Sequence, residues 1–257
     1  PIAPETYLAA AASAPSIRFV ATLGPQEIDG TVDFSTPAVL RYAAGRSDMS
    51  LDRREAFNAP RIITFDRGRK VPVVHNQATL MAAGLDFIAL ASVGRETPIL
   101  STLPPTSFAG LVTGPLAALL SGTTLYLEGP FEVESFLKRF DAIDHAHLIL
   151  PRAVAADFAQ AGLFRNLSSA VLLSRHSATA TYQPAMPVPA DCPLIDLYAI
   201  DEMAAVAEKR RGGMPVAPAQ LPHYVGFDDS RILTVEAFPQ PGLPLHCHGA
   251  AVTPIDV

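Results

Sequence analysis

Short runs of apolar and β-branched residues alternate with longer helical patterns between Arg61 and Tyr198, and this alternation constrains the fold more than any other feature of the chain. The runs are Arg61–Phe65, Thr123–Leu127, His147–Leu150, Ala170–Leu173 and Leu194–Tyr198. Each is short and bounded by turn or charged residues, and reads as a strand buried on both faces. Between them, Thr79–Val93, Phe108–Leu120, Glu132–Ile143 and Ala153–Ala161 read as helices. Asn76 is placed to cap the first of these, and Ser121-Gly122 to end the second. In the third, Phe136, Leu137, Phe140 and Ile143 share one face while Glu134, Lys138, Arg139 and Asp141 lie largely off it. Such an order predicts an α/β fold: a predominantly parallel sheet with right-handed crossovers and helices on both faces. Outside this core, Ser16–Ala21 reads as a strand closed by Gly24-Pro25, Pro37–Ala44 as a short helix, and Arg231–Ala237 as the opening of a small β subdomain.

Composition narrows the function classes. With 257 residues, 49% of them apolar, the chain can bury the core of one large domain, or of one domain and the start of another. A net charge of −6 and the lack of a long basic run speak against nucleic-acid binding, which rests on clustered Lys and Arg. Lys209-Arg210-Arg211 reads as a solvated patch. Cys192 and Cys247 make no disulfide framework and fit a cytoplasmic setting. The longest apolar stretch, Phe108–Leu120, is interrupted by Gly110, Gly114 and Pro115 and is too short to span a bilayer. Ala9–Ala12 follows no basic segment and does not read as a signal peptide.

Several motifs fall in a telling order. The strand-like RIITF is followed by the loop Asp66-Arg67-Gly68-Arg69-Lys70 and the segment VPVVHN. LPPTSFAG over residues 103–110 opens the second helix; Leu173-Ser174-Arg175-His176-Ser177-Ala178 and Leu197-Tyr198-Ala199-Ile200-Asp201-Glu202 follow at strand ends. This order resembles the adenylate-forming superfamily, the acyl-CoA synthetases and their AMP-binding relatives, over the central part of their large N-terminal domain. The resemblance implies a core over residues 1–225, shortened at its N-terminal side, the start of a β subdomain over 226–257, and a C-terminal lid that is absent and would come from a longer parent chain or a partner. It also implies ATP-dependent activation of a carboxylic acid, with Mg²⁺, and transfer to a thiol on coenzyme A or a carrier protein.

Carried over by position, the resemblance places Gly68 and Lys70 in the phosphate loop, where Phe65, Asp66 and Arg67 stand in place of small residues whose backbone N–H groups would close around phosphate. Ser107 and Gly110 fall at the acyl pocket, and Ser107 reads equally as a helix cap. Arg175 and His176 occupy a glycine pair beside the acyl and adenine groups, which should narrow that pocket. Tyr198 would face adenine, and Glu202 would act in catalysis by holding the metal. Asp201 replaces a threonine that would donate to phosphate, which an ionised carboxylate cannot do. The alternative for the last group is a strand Tyr packed at a sheet edge and an exposed Glu starting a helix. His145 and His147 would share a face of one strand, and His246-Cys247-His248 offers potential ligands, but neither set reaches the convergence a metal site needs. Weak or absent adenylation is therefore expected, the alternative being a silent binding or interaction module that keeps the fold.

Overall fold

A computed structural model describes residues 21–22, 32–33, 60–66, 71–129, 131–176, 188–210, 234–237, 245–248 and 250–253. The chain divides into two compact units, residues 1–53 and 54–257. In the first, β1 (Ala21–Thr22) pairs in parallel with β2 (Val32–Asp33). The remainder of the strand expected over Ser16–Ala21, and the helix expected over Pro37–Ala44, lie outside the described residues.

The second unit begins with an antiparallel hairpin of β3 (Pro60–Phe65) and β4 (Pro72–Asn76), in which Ile63 opposes Val74 and Phe65 opposes Pro72. The Asp66 N–H donates to the Val71 carbonyl at 2.9 Å and closes the connecting loop. Arg61–Phe65 is thus a strand as its sequence indicates, but it pairs in this hairpin and not in the parallel sheet. Alternation sorts its faces: Thr64, Val73 and His75 are buried while Ile63, Phe65 and Val74 are exposed. Helix α1 (Gln77–Ala91) follows directly, and the Asn76 side chain accepts from the Thr79 N–H at 2.8 Å, the cap the sequence predicts.

The main sheet contains β5 (Ile99–Ser101), β6 (Leu125–Leu127), β7 (His147–Pro151), β8 (Ser169–His176), β9 (Leu194–Ile200) and β10 (Ala204–Lys209), in spatial order β10-β9-β8-β7-β5-β6. All neighbours pair in parallel except β9 and β10. A period of two divides the side chains of the buried strands. Ile149, Val171, Leu173, Ile195 and Leu197 join Leu80 and Phe87 of α1 and Phe108 on one face; Leu148, Leu150, Ala170, Leu172 and Leu194 join Phe136, Phe158 and Phe164 on the other. Each such Leu or Ile contributes about 1.5–3 kcal/mol by leaving water. Helices therefore cover both faces, as expected. The sequence reading missed β5, only three residues long, and β10, where an antiparallel return follows a tight turn.

Between β5 and β6 the expected single helix is broken in kind: α2 (Phe108–Leu111), a π-helical turn (Val112–Leu116) and α3 (Ala117–Ser121). Pro115 lies inside this stretch and has no N–H to keep the regular ladder. Gly122, at φ 73°, ends the stretch in the left-handed conformation that glycine tolerates. On the opposite face, α4 (Val133–Asp141) starts at Glu132, whose carboxylate accepts from the N–H groups of Glu134 and Ser135; α5 (Ala155–Gln160) follows a 3-10 turn, Arg152–Val154.

Finally, β11 (Thr234–Ala237) pairs antiparallel with β12 (Leu245–His248), consistent with a small β element near the end of the chain. The division expected between residues 225 and 226 falls outside the described residues. Two further expectations are corrected. His145 is exposed at φ 53°, ahead of β7, whereas His147 is buried within it, so the two do not share a strand face. Arg210 is no solvated cation, for its side chain is buried against Asp196.

Candidate functional site at the carboxyl ends of the strands

Strand order reverses between β5 and β7, since the chain moves outward from β5 to β6 and then returns on the other side of β5. Open α/β sheets bind ligands outside the carboxyl ends of strands near such a reversal. The segment leaving β5 is held tightly: Ser101 Oγ accepts from the Leu103 N–H at 3.2 Å, and the Ser107 hydroxyl donates to the Pro104 carbonyl at 3.1 Å. Ser107 Oγ also accepts from the Gly110 N–H at 3.2 Å and caps α2. A Cβ at Gly110 would stand 2.1 Å from the Pro104 carbonyl oxygen, so only glycine fits. Among described contacts, Ser107 and Gly110 thus build the entry to the helix.

Glu202 lies in the turn between β9 and β10, where Asp201 adopts φ 46° and the Met203 N–H donates to the Ile200 carbonyl at 3.0 Å. The turn displaces the helix start offered as one reading of Glu202, and the carboxylate is buried. Its Oε2 accepts from the Phe108 N–H at 2.5 Å, at the first residue of α2, and its Oε1 lies 3.8 Å from Arg175 Nη1 on β8. A carboxylate suits that position because unpaired N–H groups and the helix dipole both favour negative charge. The Arg175 side chain is 42% exposed. Nearby, Arg152 Nη1 donates to Ser174 Oγ at 3.3 Å.

Phe108 also packs against His75, with ring centroids 4.7 Å apart. His75 Nε2 is 2.9 Å from Thr64 Oγ1 and its Nδ1 is 2.7 Å from Thr253 Oγ1, so one imidazole ties β3, β4 and the segment 250–253 together. Burial lowers the His75 pKa from 6.5 to about 4, which leaves the ring neutral near pH 7. At the amino end of β7, away from this site, His147 Nδ1 is 2.8 Å from Ser169 Oγ; burial first, and the Lys209 charge second, lower its pKa to about 4.

Ser107, Gly110, Arg175 and Glu202 therefore converge around the start of α2. Tyr198 is fully buried within β9, and Asp201 sits in the adjoining turn. Gly68 and Lys70 lie outside the described residues; His176 is the last residue of β8, and its side chain is likewise outside the description. Sequence reasoning overlooked His75, Thr64, Thr253 and Phe108. The buried alternation of β4 was the available signal for His75, but nothing local announces a partner 178 positions away.

Solved structures share the fold of this chain. The N-terminal subdomain of NpsA from Klebsiella oxytoca, in complex with 3-hydroxyanthranilyl-AMSN, superimposes with a TM-score of 0.60 at 14% identity, over 98% of this chain and 67% of that one. An adenylation-PCP di-domain NRPS from the same organism, the fusion NpsA-ThdA, gives 0.58 at 13% identity, over 97% of this chain and 48% of that one. The fold is that of adenylate-forming enzymes. Unliganded O-succinylbenzoate coenzyme A synthetase from Bacillus subtilis agrees at a TM-score of 0.52 and 12% identity, over 77% of this chain and 42% of that one. The chain thus spans well under two thirds of the synthetase. By sequence, no family model and no curated protein matches it.

Proposed function

We propose that this chain is an acyl-CoA-synthetase-like core of the AMP-dependent ligase family in which ATP- and Mg²⁺-dependent activation of a carboxylic acid is weak or lost, leaving a binding module on a ligase fold. The observation that carries this reading is the pairing of Glu202 with groups of the protein itself. One carboxylate oxygen caps α2 at Phe108 and the other faces Arg175. A metal against the same carboxylate would meet the Arg175 guanidinium, and like charges about 4 Å apart repel by roughly 4 kcal/mol per unit charge at an effective dielectric of 20. The residues present therefore do not fit Mg²⁺ at Glu202. Asp201, next in sequence to Glu202, stands where the resemblance would put a hydroxyl that donates to phosphate, and an ionised carboxylate cannot donate.

What the fold retains supports the acid-ligase ancestry: the capped start of α2, the reversal of strand order between β5 and β7, and the glycine against Pro104. In this reading a lid from a partner or a longer parent chain, a thiol acceptor such as coenzyme A or a carrier protein, and a cytoplasmic location would complete the family's reaction. The test is ATP–pyrophosphate exchange with a panel of fatty and aromatic acids, with and without an added lid domain from a relative. Exchange at background throughout is the expected result. Mg²⁺-dependent exchange that disappears in Glu202→Gln would overturn the proposal.

A further inference from the structure

We infer that Arg175 is the recognition group of an anion site that takes a carboxylate or a phosphate ester without a divalent cation. This rests on the reading of Glu202 given above, and it names what Arg175 binds in place of a nucleotide–metal complex.

Arg175 stands near the carboxyl end of β8, opposite Ala199 of β9, at the same end of the sheet as the turn that carries Glu202 and next to β7, which borders the reversal of strand order. Its only described ionic partner, Glu202 Oε1, lies 3.8 Å from Nη1, beyond hydrogen-bond distance. A guanidinium carries five N–H donors in a planar fork, so a single distant oxygen leaves the fork's capacity largely unused. The side chain is partly exposed while its counter-charge is buried, so solvent-borne anions reach the arginine and not the carboxylate. Glu202 in turn is fixed by the Phe108 N–H, so a buried negative charge stands behind the guanidinium at ion-pair distance. An arginine backed by a buried negative charge and partly exposed to solvent can offer its fork to a carboxylate or phosphate in bidentate geometry.

The pairing also fixes the sign of a variant. Glu202 partly offsets the charge an anion would meet, so removing its charge should strengthen anion binding. A metal-bridged site would respond in the opposite direction, because there the carboxylate holds the ion that holds the ligand.

The experiment is calorimetric titration of the full 257-residue chain with inorganic phosphate, AMP and benzoate in separate arms, each with EDTA and again with excess Mg²⁺. Binding in EDTA by at least one ligand is expected, unchanged by Mg²⁺, weakened about tenfold or more in Arg175→Gln and tightened several-fold in Glu202→Gln. Phosphate and AMP without benzoate would identify a phosphate site, and benzoate alone an acid site. Thermal unfolding of each variant separates lost binding from lost fold, and Arg175→Lys, which keeps the charge without the fork, supplies a second variant that should bind at intermediate strength. No binding by any ligand in EDTA, or binding that Arg175→Gln leaves intact in a folded protein, overturns the inference while leaving the proposed loss of adenylation standing. Binding that requires Mg²⁺ and vanishes in Glu202→Gln overturns both.

Discussion

Asp196 and Arg210 meet as a bidentate ion pair, with Nε 2.8 Å from one carboxylate oxygen and Nη2 2.6 Å from the other. Both side chains are 1% exposed, and the Arg210 N–H donates to the Leu194 carbonyl at 2.9 Å, so β9 and the residue following β10 are joined by backbone and side chain together. Removing one partner strands a buried charge. Asp196→Ala or Arg210→Ala should each cost about 3–5 kcal/mol, while a double replacement by apolar residues of similar volume should cost much less. Urea denaturation of the three variants checks this; equal losses in single and double variants would contradict it.

Gly110 faces the Pro104 carbonyl too closely for any side chain. Gly110→Ala must displace the segment after β5 or the start of α2, at a cost of about 2–3 kcal/mol of the kind seen on overpacking. The matching loss in the denaturation midpoint is the expected readout. Alanine accepted without loss would show that the segment yields easily.

The two capping residues allow a gentler test. Asn76→Ala and Ser107→Ala each remove an acceptor for a helix N–H and should lower stability by about 1 kcal/mol, whereas Asn76→Asp and Ser107→Thr should restore most of it. Rescue by the conservative change, followed by denaturation, distinguishes a cap from a side chain retained only for space.

Stability should fall in mild acid. His75 and His147 are held neutral with pKa values of about 4, against 6.5 when unfolded, so the unfolded chain binds more protons as pH drops through this interval. Their contribution is complete above about pH 6.5, is lost progressively toward pH 4 and levels off below it, at on the order of 2 kcal/mol per histidine after allowance for solvent screening. Denaturation at pH 7 and pH 4.5 measures the slope, and His75→Gln or His147→Gln should each reduce it.

For the nucleotide, a dissociation constant for ATP with Mg²⁺ no tighter than about 1 mM, near −4 kcal/mol, is expected. Asp201 in place of a donor hydroxyl, and a Glu202 carboxylate already paired with Phe108 and Arg175 and so not open to Mg²⁺, motivate it. Micromolar affinity by calorimetry would refute it.

Periodicity was sufficient for the regular elements whose neighbours are close in sequence. Runs of Leu, Ile and Val between helical stretches announced β6 to β9, and Asn76, Ser107 and Gly122 announced helix ends, because burial on two faces and unpaired backbone groups are local demands that local residues must answer. The hairpin of β3 and β4 shows where that stops: the pattern in Arg61–Phe65 is that of a strand, but which strand it pairs with depends on a loop and a register that periodicity does not encode. Tertiary structure decided how the residues of the site are paired. Whether Glu202 is exposed, metal-holding or paired depends on Phe108 and Arg175, 94 and 27 positions away, and whether Arg210 is solvated depends on Asp196 lying beneath it. Charges carry no direction along a sequence, and their partners are fixed only when the sheet closes and brings remote strand ends together in a low-dielectric interior.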